Sequence, residues 1–302
     1  LCEVLPTRKH TISLDLSNCG LGVAEVNEVA KAIGAGAARL SLRGNMITGS
    51  LCDESADYEW EYDKDLSGLV SLCDALLALK NPIDLDLSEC GLSVNGVNPV
   101  AKAISAGAAV TSMNCLHNPL GEAVHIIIKV FEETPRLRTL CGFEEGVEQI
   151  DWSDSKKGLV EVALLAAEVK AGRAIAALNS LTLDSNGIFG KLPDRWGRRA
   201  EPDKFAADCD AFLAALKDSN IMTMSLQNTG IGPVALRKLA TSLPAAVNSL
   251  TIDSTGVPCD YVSDSDEEDE VLVEGTGPRS YTLASGKESL ELSSKNLGPA
   301  DV

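Results

Sequence analysis

The sequence predicts an α/β chain: a curved solenoid with a parallel β-sheet along its concave side and α-helices along its convex side. Three observations lead there. The phrase LDLSNCGL at Leu14–Leu21 returns almost unchanged as LDLSECGL at Leu85–Leu92. Its pattern, L-x-L-x-x-(N/C)-x-L, recurs along the chain, and the copies that follow most closely are roughly 26–28 residues apart. Between copies, apolar residues fall three and four apart, as on one face of a helix.

Each part of the unit has a physical reading. Leucines at alternate positions place both side chains on one face of a strand. The Asn or Cys then turns the chain, and an inward Asn can satisfy backbone groups that the turn would bury. The pattern fits at Leu14, Leu40, Leu85, Met113 and Leu181. Copies starting at Met224 and Leu250 carry Thr229 and Thr255 at the turning position. A degenerate copy starts at Ile150, and a last one at Leu290 carries Lys295 at the turn, a poor substitute for Asn. Cys19 and Cys90 read as small buried turn residues rather than reactive thiols. After the turn, Val23, Val26, Ala30 and Ile33 form one helical stripe, and Val97, Val100, Ala101 and Ile104 form another. Gly34, Gly36 and Gly107 read as helix stops. One such unit cannot bury its own apolar face, so units must stack, and the wider helices on the outside impose curvature.

On these residues the chain resembles the leucine-rich repeat family, in its long-repeat, ribonuclease-inhibitor-like class. The likeness runs from about Thr11 to Val302. It implies one domain over 1–302 with about eight to nine repeats. The segment 134–149, which contains TLCG at Thr139–Gly142, reads as a junction between repeat blocks, and TLASGKESLEL before the last copy is similar. Both resemble joins in large multi-repeat proteins of algae and protists. The chain opens without Met, and its last repeat stops where a helix should begin, so a longer polypeptide is expected.

Three stretches exceed the repeat length: 48–68, 189–204 and 258–280. All follow the last apolar residue of a strand copy, which in a solenoid places them on one rim. The first holds Tyr58, Trp60 and Tyr62 among acids, and the second holds Trp196 beside Arg195, Arg198 and Arg199. Such rings are either a small core sealing the loop or a binding surface. The third contains SDSDEEDE, read as a solvated acidic loop, with phosphorylation of Ser263 and Ser265 as the functional alternative.

Composition narrows the function. The formal net charge is −18, from 26 basic and 44 acidic residues, which disfavours nucleic acid and anionic lipid and favours a basic protein partner. Nine scattered cysteines without a C-x-x-C suggest a reducing, cytoplasmic compartment. The apolar run AVHIIIKVF is too short for a membrane span. No phosphate-binding loop, nucleophile elbow or zinc-protease motif is present, and His10, His117 and His125 are too dispersed for a metal cluster. No cofactor and no catalytic residue is expected. The expected function is a non-enzymatic protein–protein interaction scaffold. The alternatives are a small-GTPase regulator, by fold analogy alone, or a structural block of a larger assembly. Candidate partner-binding residues are those between the strand leucines, Asp15, Arg39, Arg43, Asp84, Asp86, Asn114, Asp151, Asp184 and Asp253. With them stand the aromatic residues of the inserts, Tyr58, Trp60, Tyr62 and Trp196.

Overall fold

The computed structural model describes residues 12–33, 36–53, 59–193, 200–255, 261–263, 270–272, 279–285, 297 and 301. It is an α/β structure with parallel sheets, and it divides into two compact units, Leu1–Glu145 and Gly146–Val302. The boundary lies inside the segment 134–149.

The first unit runs β1 (Ile12–Asp15), α1 (Val23–Ala32), β2 (Ala37–Ser41), β3 (Leu51–Asp53), β4 (Glu59–Glu61), α2 (Ser67–Ala78), β5 (Ile83–Asp86), α3 (Val94–Ser105), β6 (Val110–Asn114) and α4 (Val124–Glu133). Strands β1, β2, β5 and β6 form a parallel sheet in that order. The insert 48–68 folds into the antiparallel hairpin β3–β4, between β2 and α2. After α4, residues 138–140 run alongside β6 in the same direction, and a single antiparallel bridge joins Asn114 to Cys141. Met113 and Cys115 donate their N–H groups to the carbonyls of Thr139 and Leu140 at 3.0 Å each.

The second unit repeats the plan. Its elements are β7 (Gln149–Asp151), α5 (Leu159–Ala171), β8 (Ser180–Thr182), α6 (Asp210–Lys217), β9 (Thr223–Leu226), α7 (Pro233–Ser242), β10 (Ser249–Asp253), β11 (Tyr261–Ser263), β12 (Glu270–Leu272) and β13 (Ser280–Ala284). Strands β7, β8, β9 and β10 are parallel neighbours. The insert 189–204 again follows the second strand and again closes antiparallel, at Lys191 and Glu201. Strand β13 then lies antiparallel on β10, with Leu283 opposite Leu250. Strand β13 thus covers the β10 edge as residues 138–142 cover the β6 edge, but runs in the opposite sense. The strand copy expected at Leu290 lies outside the described residues apart from Leu297.

The cores follow from the periodicities. Leu40, Leu42, Leu85, Leu87, Met113, Leu181, Leu183, Met224, Leu226, Leu250 and Ile252 are all buried on one side of their strands. The helices turn Val26, Val29, Leu69, Leu72, Val100, Ile104, Leu164, Phe212, Leu216 and Leu239 inward. Burying each such side chain contributes roughly 1.5–3 kcal/mol. Around β6, α3 and α4, a cavity of about 10 Å³ remains among Leu92, Val97, Met113, Leu120 and Ile127, room for no more than a water.

Asparagine binds neighbouring strand copies together within each unit. Asn45 Oδ1 accepts the N–H groups of Cys19 (3.1 Å) and Leu21 (2.9 Å), while its Nδ2 donates to the carbonyls of Leu16 and Leu42. Asn118 treats Cys90, Leu92, Leu87 and Cys115 in the same way. Asn186 accepts from Lys157 N–H and donates to Trp152 and Leu183. Each buried amide thus reaches back to the preceding strand copy as well as closing its own turn. Thr229 makes only the local bond, from its hydroxyl to the Leu226 carbonyl at 2.8 Å.

One expectation fails. Cys90 is buried, but Cys19 is exposed. The Cys90 thiol packs on the preceding turn, 3.1 Å from the Leu42 carbonyl. Cys19 sits in the first strand copy among the described residues, and its thiol reaches the Ser17 carbonyl in its own turn.

Candidate interaction surfaces

Alternation along the strands puts one residue set in the core and the other on the open side of each sheet. On the first sheet the register sets Arg39 between Ser13 and Asp84, and Asp86 between Ser41 and Asn114. Asp15, Arg39 and Arg43 are exposed, and Asp84, Asp86 and Asn114 are half-buried. Arg43 pairs with Glu89 at 2.7 Å, and Asp84 accepts the Thr111 hydroxyl at 3.1 Å. On the second sheet Asp151 is exposed, and Asp184 and Asp253 are half-buried.

Several of these carboxylates have work at the strand ends. Asp15, Asp86 and Asp151 each begin a D-x-S turn, accepting both the hydroxyl and the N–H of Ser17, Ser88 and Ser153. The Ser17 hydroxyl, then its N–H, hold the Asp15 carboxyl below its ordinary value, and Ser153 does the same for Asp151. Asp184 accepts from the Ser225 hydroxyl and from Gln227 N–H at 2.7 Å on the next strand. Asp253 accepts Asn228 N–H at 2.6 Å, yet burial pushes its carboxyl above the ordinary value, with the nearby Asp184 charge adding to the rise. The open face is thus mildly acidic and partly braced by its own hydrogen bonds.

The hairpin in the first unit presents the other candidates. Trp60 and Tyr62 are 46% and 37% exposed, so neither ring seals a core. Their planes are 10° from parallel, with centroids 6.0 Å apart. Tyr58 and Trp196 lie outside the described residues, as does Ser265.

Residues just past these rings were not singled out by the sequence. Glu61 pairs with Lys64 at 2.5 Å. Asp63 crosses to the start of α3, accepting the N–H groups of Ser93 and Gly96 and the Ser93 hydroxyl. In the second unit Glu201 pairs with Lys204 at 2.8 Å and with Lys191 at 2.7 Å. Hydrogen bonds from Lys191, then Lys204, lower the Glu201 carboxyl to about 2. Asp203 accepts Gly232, Val234 and Ala235 N–H at the start of α7. The signal was present as EYDK at Glu61–Lys64 and EPDK at Glu201–Lys204, but the two inserts otherwise differ too much in composition to suggest a common frame.

Among the described residues, no group of three His, Cys, Asp or Glu is placed to hold a metal ion, and no helix is long and apolar enough to cross a membrane. Comparison with protein-family models gives no match for this chain, and comparison with curated proteins gives none either.

Proposed function

We propose that this chain is a leucine-rich-repeat solenoid that serves as a non-enzymatic, cytoplasmic protein–protein interaction scaffold. In this reading the open sheet faces line the concave side, the helices line the convex side, and the partner is a basic protein segment. The observation that carries the proposal is the pairing of two features in the strand copies at Leu40, Met113 and Leu181. A buried leucine face is locked to its neighbour by Asn45, Asn118 or Asn186, and an open face is left to small, polar and acidic side chains. A rigid frame with a weakly acidic face suits recognition of a cationic partner more than chemistry. The net charge of −18 points the same way.

The test is the triple variant Asp84→Asn, Asp86→Asn, Asp151→Asn. Asparagine keeps an acceptor for the strand-end serines, so the turns persist while the charge is lost. Partner affinity and its dependence on salt should both fall. Unaltered affinity and salt slope would reject the acidic-face reading.

A further inference from the structure

The two units contain the same hairpin frame, and in the first the strand that closes it carries two rings. In the first unit the frame is the antiparallel pairing of β3 with β4, the Glu61–Lys64 ion pair and the Asp63 carboxylate on the α3 terminus. In the second it is the Lys191–Glu201 pairing, the Glu201–Lys204 ion pair and the Asp203 carboxylate on the α7 terminus. Aligned on Glu61 and Glu201, Trp60 faces Ala200 and Tyr62 faces Pro202. The frame therefore closes with a methyl group and a pyrrolidine where the first unit has two aromatic rings. The frame is thus built without the rings in the second unit, and both rings are exposed in the first.

We propose that the Trp60–Tyr62 pair is a docking platform for an arginine-bearing segment of a partner protein. This rests on the scaffold reading above and adds the chemistry of one partner group. Two nearly parallel rings offer broad π-faces to a planar cation, and a guanidinium stacks on such faces better than an ammonium does. The charge of the local sequence favours a cation as well. The stretch Asp53–Asp65 carries seven carboxylates against one lysine. The corresponding stretch of the second unit carries Arg195, Arg198 and Arg199, which would repel the same ligand.

The experiment uses the full chain and a fluorescein-labelled peptide of alternating arginine and glycine, with a lysine-for-arginine peptide beside it. Anisotropy titrations are run on the wild type, on Trp60→Ala/Tyr62→Ala and on the ring-preserving Trp60→Phe/Tyr62→Phe. The wild type is expected to favour the arginine peptide. The double alanine variant should bind it about fivefold to thirtyfold more weakly, the range expected for one or two cation–π contacts. The phenylalanine variant should retain most of the affinity, and the melting temperature should not move. Should the double variant fail to fold, Trp60→Ala alone copies Ala200 of the second unit and gives the same readout. Equal affinity of wild type and alanine variant for the arginine peptide overturns the proposal. If the aspartate-to-asparagine triple variant alone weakens binding, the platform falls and the acidic-face reading stands. If neither set weakens it, both fall.

Discussion

The Asp63 carboxylate accepts the Gly96 N–H at 2.7 Å, tying the hairpin of the first unit to the first turn of α3. Asp203 holds the corresponding place in the second unit, 2.8 Å from the Ala235 N–H. Both aspartates have left-handed backbone, φ 56° and 62°. Both lie against a glycine. A Cβ on Gly96 would come within 2.6 Å of Asp63 Oδ1, and one on Gly232 within 2.5 Å of Asp203 Oδ2. A helix start exposes N–H groups and a partial positive charge, and an inserted carboxylate meets both needs.

Removing that carboxylate should be felt through the helix. Asp63→Ala and Asp203→Ala are each expected to destabilise the protein by roughly 1–2 kcal/mol, as for loss of a helix cap. Asp203→Ala should cost the more, because it leaves three backbone N–H groups without their acceptor. Urea denaturation followed by circular dichroism gives both values. A change within error for Asp203→Ala would mean that water replaces the carboxylate at no cost.

The buried amides should matter more than the buried hydroxyl. Asn118→Ala strands the N–H groups of Cys90 and Leu92 and the carbonyls of Leu87 and Cys115. At about 1–3 kcal/mol for each buried group left unpaired, a loss of at least about 3 kcal/mol is expected. Thr229→Val removes one local bond and should cost about 1 kcal/mol. The same denaturation experiment ranks them, and a reversed order would show that the link between strand copies contributes little.

Asp253 should make neutral pH mildly unfavourable to folding. Burial raises its carboxyl above the ordinary value of 3.8, so the folded state resists its charged form. For a raised acid the cost is fully present above the folded value and disappears below the unfolded one. Asp253→Asn is therefore expected to be more stable than the wild type at pH 7. The advantage should shrink as the pH falls and vanish below about 3.8. Paired urea midpoints across that range test this, and a variant less stable than wild type at pH 7 would contradict it.

Thiol reactivity should separate Cys19 from the rest of the described core. Burial pushes the thiols of Cys73, Cys90 and Cys209 up to about 12, which leaves almost no thiolate at pH 8. Iodoacetamide at that pH should label Cys19 in the native protein and reach the other three only in denaturant. Peptide mapping by mass spectrometry reads the pattern. Native labelling of Cys90 at the rate of Cys19 would show that the turn opens.

The leucine alternation made the strands legible, because a period of two needs no knowledge of the partner strand. Asn45, Asn118 and Asn186 were legible as turn residues, but their reach to the preceding strand copy was not, since it needs the stacking itself. The candidate acids of the open face were legible as outward-facing residues. Their use as strand-end acceptors for Ser17, Ser88 and Ser153 follows a local D-x-S spacing that could have been read. The equivalence of the two inserts was hidden, because one is acidic and the other basic, and they share little beyond a tryptophan and E-x-D-K.

By itself the sequence determined the α/β class, the positions of the parallel strands and which of their sides faces the core, because these depend on periodicity within a few residues. Only the tertiary structure decided that Thr139-Leu140 lines the β6 edge of one sheet and that β13 lies antiparallel on the β10 edge of another. Only it joined Asp63 to Gly96 and Asp203 to Ala235. Those contacts connect residues about thirty apart, whose meeting is set by packing of whole elements and leaves no local periodicity to read.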